Sequence, residues 1–256
     1  MSRRSNRDVL RSYYHTLYQA WGPQHWWPAE TRFEVIVGAY LTQNTAWTNV
    51  EKALTNLRAA KALSVAGIRE IRLAKLERLI RPSGYFRQKA SRLKTFVAFL
   101  DQNYAGSLDR LFSQPTRKLR EELLKLNGVG PETADSILLY AGNHPVFVVD
   151  AYTRRVLDRH NILPEKTDYE DIRQLFESAL APLVEKGFKR ATHSFTASSM
   201  SGVVHLPSAM STAARSAQVQ VYNEMHGLIV GVGKQYCRKA KAACDGCPLQ
   251  SFLPKK

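Results

Sequence analysis

A glycine-rich turn lies between two segments of helical periodicity in the middle of the chain. It holds Gly128 and Gly130 around Val129, and Pro131 follows. Glycine permits positive φ and close backbone approach to a ligand, and proline suits the first turn of a helix. The N–H groups of such a turn and of the helix after it can bind an anion such as a phosphate. The segment predicts either a phosphate-binding hairpin with Val129 in the core or a corner that needs glycine for geometry alone.

An aspartate follows this turn at the start of another helical segment. Asp150 ends the apolar run Val146 to Val149. Aspartate is among the best N-cap residues, and a cap contributes about 0.5–2 kcal/mol. The position therefore suits a cap, a functional acid, or both.

Three cysteines lie close together near the end of the chain, at Cys237, Cys244 and Cys247. An odd, crowded set argues against a disulfide framework. Clustering of this kind indicates metal or Fe–S ligation in a reducing compartment.

The elements that position these residues are helices. Apolar residues recur at steps of three and four from Val9 to Trp21, and similar patterns occupy most of the chain. The run Val146 to Val149 is too short to build a sheet, so the predicted fold is all-α. Residues 191–218 lack clear periodicity, because Ser, Ala and Thr make up 16 of the 28 residues. This segment is predicted to be an exposed or partly disordered insertion, or in its second half a weakly amphipathic helix pair.

The charge balance favours a polyanionic partner. Lys and Arg number 37 against 22 Asp and Glu, giving a formal charge of +15 over 256 residues. Lysine and arginine that neutralise phosphates release counterions, which favours nucleic acid over a basic protein without a specific ligand. No apolar run approaches the ~20 residues of a membrane span, and no signal peptide is recognisable. We expect a soluble intracellular protein.

Several motifs together carry a resemblance to a known family. They are the hairpin from Leu126 to Ala134, the Val148-Val149-Asp150 sequence, Leu41 to Thr45, Gly84 to Ala90, and the cysteine array. The combination resembles the helix-hairpin-helix base-excision DNA glycosylases of the endonuclease III type, over about residues 31–181 and 222–248. The resemblance implies two all-α lobes with DNA and a flipped base between them. One lobe would span residues 33–142, and the other would combine 1–32 with 143–256.

The resemblance assigns catalysis to Asp150. Cleaving an N-glycosidic bond builds positive charge on the sugar, which a fixed carboxylate stabilises, and the same group can orient or deprotonate water. Family members that also nick the backbone carry a lysine where this chain has Glu132. A carboxylate cannot form a Schiff base, so the sequence predicts a monofunctional glycosylase without lyase activity.

Glu132 and the Trp26-Trp27 pair narrow the resemblance to the 3-methyladenine glycosylase branch. In that branch aromatic residues line the base pocket, which implies roles for Trp26, Trp27 and Trp47, with Glu132 at its edge. An indole face attracts a cationic methylated purine by about 0.5–2 kcal/mol. Each tryptophan has the alternative of being a core residue.

The resemblance also implies contacts with DNA. Gln43 and Tyr85 match positions whose side chains enter the duplex at the lesion, and the hairpin contacts would come from Gly128, Val129, Gly130 and Thr133. Candidate backbone contacts are Arg87, Lys89, Arg92, Lys94, Arg154 and Arg155, although a charged helix face is often merely solvated.

The cysteine spacing matches the first three ligands of the family's [4Fe–4S] loop. The fourth position holds Leu253. Since four thiolates are usual, the site is degenerate: the cluster is either absent or bound with an unusual fourth ligand. His226 would offer a Cys3His zinc site if the geometry allowed. We expect loss or instability of the cluster.

The sequence therefore predicts a monomeric glycosylase that removes alkylated purines from damaged double-stranded DNA in a cytoplasmic, nucleoid-associated location. Two alternatives stay open. One is an endonuclease III-like enzyme for deaminated, mismatched or oxidised pyrimidines, and the other is a non-catalytic DNA-binding protein.

Overall fold

The computed structural model describes residues 5–185 and 207–254. Within these ranges the chain is helical, and its only β-type pairing is a single bridge between Cys237 and Ala242. The all-α prediction is confirmed. No helix in the described ranges has the length and apolar character that crossing a membrane requires.

The described residues form a series of helices. They are α1 Asn6–Trp21, α2 Arg32–Leu41, α3 Trp47–Ala59, α4 Val65–Glu70, α5 Leu73–Leu79, α6 Phe86–Tyr104, α7 Leu108–Phe112, α8 Thr116–Leu124, α9 Pro131–Ser136, α10 Ala151–Arg159, α11 Tyr169–Glu185, α12 Ala209–Thr212 and α13 Ala217–Gln235. Single 3-10 turns lie at Arg81–Ser83 and Gln250–Phe252, and a π-helical turn, Ile137–Ala141, continues α9.

The chain divides into two compact units. Residues 29–144 form the central unit, and residues 1–28 with 145–256 form the terminal unit. In the central unit α2 packs against α3, α6, α9 and the π-helical turn. Its residues from Phe33 to Leu41 are all buried, because almost every side chain of this helix is apolar.

The terminal unit is built on α13, which packs against α1, α10 and α11. Most of α13 is buried, and two glycines let neighbours approach it closely. A Cβ at Gly233 would overlap the ring of Tyr152 on α10, and one at Gly227 would lie 3.1 Å from the Cβ of Trp26. The missing side chains therefore allow α10 and the Trp26 segment to pack onto the α13 backbone.

The predicted first helix is confirmed. Leu10, Tyr13, Tyr14, Leu17 and Trp21 are all buried along one face of α1. Ser5 caps its start through the Asp8 amide, and Gly22 ends it at a φ of 66°.

Part of the predicted insertion can be compared with the structure. Residues 191–206 lie outside the described residues. In the second half, Ser208 and Ser211 form a capping box around the single-turn α12, and Met210 is buried. Helix α13 begins at Ala217, inside the predicted segment.

Candidate active site

Asp150 stands where a buried extended segment becomes a helix. The segment from Val146 to Val149 is buried, and Phe147 stacks on Phe176 with ring centroids 4.2 Å apart. The amide of Phe147 donates to Glu177 Oε1 at 3.0 Å, so this strand-like segment needs no sheet to satisfy its backbone there. Packing therefore fixes the backbone that leads into Asp150.

The carboxylate of Asp150 caps α10 and is held through one oxygen. Its Oδ1 accepts hydrogen bonds from the Thr153 amide at 2.7 Å and from Thr153 Oγ1 at 2.9 Å. The side chain is only 13% exposed. The predicted cap is confirmed, and the group is largely removed from water.

The other oxygen of Asp150 faces a histidine from α13. His226 Nε2 lies 3.6 Å from Asp150 Oδ2, and the histidine side chain is 5% exposed. This distance exceeds a hydrogen bond, so the contact is one of charge and dipole. The His226 ring contacts the rings of Trp26 and Phe147 edge-on, at centroid distances of 5.9 and 6.3 Å.

This environment keeps Asp150 ionised. Burial acts to raise its pKa, but the neighbouring His226 and the hydrogen bonds from Thr153 outweigh burial, and the pKa lies below its ordinary value of 3.8. Burial and the Asp150 charge together raise the pKa of Tyr152. A carboxylate that is charged at neutral pH and shielded from water can stabilise cationic character in a bound substrate.

The hairpin of residues 126–134 connects α8 with α9. Gly128 has a φ of +75°, and a Cβ there would overlap the Arg92 guanidinium. Gly130 has an extended backbone with φ −93° and ψ 178°, and no atom lies within 4 Å of its Cβ position. The backbone therefore favours glycine at Gly128, whereas the extended backbone of Gly130 is open to other residues. Val129 is 6% exposed, as expected for a residue anchored in the core.

Side chains of the central unit brace the hairpin. Gln43 Nε2 donates to the Gly128 carbonyl and to Thr133 Oγ1, both at 2.9 Å, and Arg92 donates to Gln43 Oε1 at 3.0 Å. Gln43 was expected to enter the duplex, but in the structure both the nitrogen and the oxygen of its side-chain amide are hydrogen-bonded within the central unit. Arg120 on α8 binds the fully buried Asp135 of α9 through two hydrogen bonds of 2.6 and 3.0 Å.

The four residues expected to contact the base differ in how far they are buried. Trp26 and Trp27 are 8% and 6% exposed, and Trp26 is covered by His226 and by Lys234, whose Nζ lies 5.8 Å from the ring centroid. They form packed core in the terminal unit. In the central unit Glu132 is exposed near the start of α9, and Trp47 is half-buried with its indole N–H on Glu51 at 2.9 Å.

Two of the expected DNA-contacting residues differ sharply in exposure. Tyr85 is 69% exposed and has a left-handed backbone with a φ of 44°. Lys89 is 1% exposed, and its ammonium donates to the carbonyls of Leu41 and Ser83 and to Thr45 Oγ1. Burial and the nearby Arg92 lower the pKa of Lys89 to about 8. Lys89 joins two loops inside the unit, so its prediction as a backbone contact is wrong.

Most of the other basic residues also make internal contacts. Arg154 donates to the Glu165 and Thr167 carbonyls, Arg155 to the Cys237 and Gly233 carbonyls, and Lys94 to the Arg69 and Ile71 carbonyls. Arg87 is exposed and lies 5.8 Å from the Phe86 ring centroid.

The cysteine loop does not fit a four-thiolate cluster. Cys237, Cys244 and Cys247 border one small pocket, and Leu253, which has no ligand atom, borders it too. Burial, and then the other two cysteines, raise the pKa of Cys247 against the lowering effect of a hydrogen bond from the Leu249 backbone. In the described part of the chain, no three His, Cys, Asp or Glu side chains are arranged to hold a metal ion.

His226 does not belong to this loop. It faces Asp150, about 13.5 Å along α13 from the helix end at a rise of ~1.5 Å per residue. The suggested Cys3His226 site is therefore wrong. The histidine that does border the cysteine pocket is His160, whose Nδ1 lies 2.6 Å from the Tyr13 hydroxyl. Sequence spacing did not indicate His160, because it lies at the end of α10, far from the cysteines in sequence.

An all-α fold with a braced hairpin and, after it, a buried ionised aspartate defines the class of base-excision DNA glycosylases. Residues 37–182 match the HhH-GPD superfamily base excision DNA repair protein family. The chain belongs to this family and is a DNA glycosylase of the superfamily.

Similar proteins agree with this assignment. A candidate DNA repair glycosylase of Methanocaldococcus jannaschii is 40% identical, over 97% of this chain and 97% of that protein. Endonuclease III of Thermotoga maritima is 33% identical, over 86% of this chain and 81% of its own length. The structure of H. pylori 3-methyladenine DNA glycosylase MagIII bound to 1,N6-ethenoadenine is 28% identical, with a TM-score of 0.70 over 91% of this chain and 98% of that one.

Proposed function

We propose that this glycosylase is monofunctional and hydrolyses the N-glycosidic bond of alkylated purines in duplex DNA, with Asp150 as the catalytic carboxylate. The observation that carries the proposal is the state of Asp150. Its side chain is 13% exposed, one oxygen is fixed by Thr153, and its pKa is lowered despite burial. A preorganised charge in a poorly solvated site acts most strongly on charge that develops during reaction.

The proposed reaction separates base and sugar before water completes the product. The bond between C1′ and the base nitrogen breaks, and its electron pair leaves with the base. Asp150 stabilises the positive charge that remains on the sugar ring. Water then bonds to C1′ and gives up a proton, for which Asp150 is the proposed acceptor, and the products are an abasic site and a free base.

The substrate class rests on leaving-group chemistry and on the likeness to MagIII. A purine methylated at a ring nitrogen carries positive charge, so it leaves as a neutral base and needs no protonation by the enzyme. MagIII is a 3-methyladenine DNA glycosylase, and its structure holds a 1,N6-ethenoadenine base. Within the central unit, the exposed Glu132 and the half-buried Trp47 are the proposed base-recognition residues.

Glu132 carries the proposal that backbone cleavage is absent. It occupies the hairpin position at which the lyases of the family carry their lysine, and its carboxylate cannot attack C1′ to give an imine. Replacing Glu132 by Lys restores an amine at this position. We expect Glu132→Lys, unlike Glu132→Gln, to form a borohydride-trapped complex with duplex DNA that contains an abasic site.

A lesion panel tests the function directly. Duplexes that carry 3-methyladenine, 1,N6-ethenoadenine, uracil or thymine glycol are incubated with the enzyme and analysed with and without mild alkali, which converts abasic sites to breaks. We expect breaks at 3-methyladenine, the cationic lesion of the panel, and only after alkali. Release of uracil or thymine glycol alone would instead establish the endonuclease III-like alternative, and strand cleavage without alkali would contradict the monofunctional proposal.

The non-catalytic alternative is separated by the same panel. A DNA-binding protein without enzymatic activity would bind the duplexes and release no base from any lesion. The excess of positive charge suits duplex DNA in either case, and it predicts affinity that falls steeply with salt.

A further inference from the structure

We propose that His226 is a positioning residue that holds the reactive oxygen of Asp150, an inference that rests on the catalytic role proposed for Asp150. The two oxygens of the carboxylate have different contacts. Thr153 binds Oδ1 through its amide and its hydroxyl, and the His226 imidazole faces Oδ2 from α13 at 3.6 Å.

The accessible acceptor position of the carboxylate lies on Oδ2. An ionised carboxylate offers about four acceptor positions, two on each oxygen. Thr153 takes two of them at Oδ1. At 3.6 Å the His226 imidazole covers one side of Oδ2 without a hydrogen bond, which leaves the other side for the sugar or the attacking water. The imidazole therefore sets which side of Oδ2 is open to the substrate.

The His226 ring is itself fixed, which a positioning residue requires. It is 5% exposed and lies between Trp26 and Phe147, whose rings meet it at interplanar angles of 60° and 74°. Gly227 allows Trp26 to reach this position, because a Cβ there would lie 3.1 Å from the Trp26 Cβ. The buried tryptophan thus supports the carboxylate through the histidine.

Other charged groups near this cluster have their own contacts. From α10, Tyr152 senses the Asp150 charge and lies 5.0 Å from the Arg155 guanidinium carbon. From α11, Glu177 accepts from the Phe147 amide and pairs with Arg173. On α13, Glu224 accepts from the Gln24 amide, and Lys234 lies over Trp26. Asp150 is the acid that the structure places against the imidazole.

The first test compares His226→Gln and His226→Asn with His160→Gln. His160 is the control, since it is a half-buried histidine of the same unit that contacts Tyr13 rather than Asp150. On a 3-methyladenine duplex at saturating enzyme, we expect the His226 variants to lower the single-turnover rate roughly 10-fold to 100-fold, with unchanged duplex affinity. His160→Gln is expected to retain the rate.

The second readout follows the carboxylate itself by ¹³C NMR. In the unmodified protein we expect the Asp150 carboxyl to titrate below its ordinary value of 3.8. In the His226 variants its pKa rises, and the acid limb of the rate profile moves to higher pH with it. If neither His226 variant folds, titration of Asp150 at or above the ordinary value in the unmodified protein overturns the proposal.

The outcomes separate this inference from the proposed function. Base release that survives in Asp150→Asn overturns the function and the positioning role together. Base release that disappears in Asp150→Asn but is unchanged in both His226 variants leaves the function and overturns only the positioning role. An unmoved Asp150 titration in the His226 variants overturns it as well.

Discussion

The site around Asp150 and the hairpin around Gly128 are built in opposite ways. At Asp150 a charged group is buried and surrounded by contacts that hold its orientation and its ionisation. At the hairpin, Gly128 and Gly130 are exposed, and the side chains beside them serve to brace the backbone. Burial strengthens electrostatic action on a bound sugar, whereas exposure leaves backbone groups accessible to a phosphate.

This contrast predicts a separation of effects in mutants. Changes in the bracing of the hairpin should weaken DNA binding and leave the saturating single-turnover rate intact. Changes around Asp150 should lower that rate and leave the affinity intact. A variant that moves both quantities together would contradict the separation.

The largest expected effect on stability comes from Asp135→Asn. This change removes the carboxylate that binds the largely buried Arg120, and losing one partner of a buried pair costs about 3–5 kcal/mol. Hydrogen exchange of the hairpin amides should accelerate and duplex affinity should fall. Asp109→Asn is the control, since its pair with Arg32 is on the surface and its side chain is 85% exposed. Equal effects of the two changes would contradict the bracing role.

A smaller effect is expected from Gly128→Ala. An alanine at φ +75° is strained by about 1–2 kcal/mol and would displace Arg92 from the turn. We expect the free energy of unfolding to fall by that amount and duplex affinity to fall because the turn is distorted. Gly130→Ala is matched in chemistry, but it lies at φ −93° with no atom within 4 Å of its Cβ position. Similar losses in fluorescence-anisotropy titrations of the two variants would refute the distinction.

Thr153→Val is expected to lower the single-turnover rate and to leave duplex affinity unchanged. It removes the hydroxyl bond to Asp150 Oδ1 and keeps the amide bond, a loss of about 1 kcal/mol or roughly fivefold in rate. The pKa of Asp150 should rise. Thr153→Ser retains a hydroxyl and should keep most of the rate. If it does not, the effect of Thr153→Val comes from altered packing rather than from the lost hydrogen bond.

The smallest expected effect concerns pH. The pKa of Asp150 is lowered, so its folded-state charge contributes stability above its ordinary pKa of 3.8 that is lost as pH falls through the lower folded value. The saturating rate should therefore show no loss from Asp150 between about pH 5 and pH 8. A fall of the rate to half within this pH range in the unmodified enzyme would contradict this ionisation state, provided that the fall occurs at a different pH in Thr153→Val. Such a shift would show that the fall reports the titration of Asp150.

Local patterns were enough to predict the helical elements. Periodicity placed α1, and the shortness of the Val146 to Val149 run correctly excluded a sheet. The cap at Asp150 also followed from residue type and position, because capping is a local interaction.

Roles that depend on distant contacts could not be predicted in this way. Lys89 looked like a surface cation of an amphipathic helix, but three acceptors from two other segments bury it. His226 looked like a partner for the cysteines because it is near them in sequence, but the direction of α13 carries it to Asp150. Sequence spacing does not determine which segments a helix meets.

The most direct test of the account is base release by Asp150→Asn. Asparagine preserves the size and the cap of α10 but removes the charge. On a 3-methyladenine duplex with saturating enzyme, we expect a single-turnover rate roughly 10³-fold lower with unchanged affinity. Base release within a few-fold of the unmodified enzyme would contradict the claim that the Asp150 carboxylate carries the chemistry.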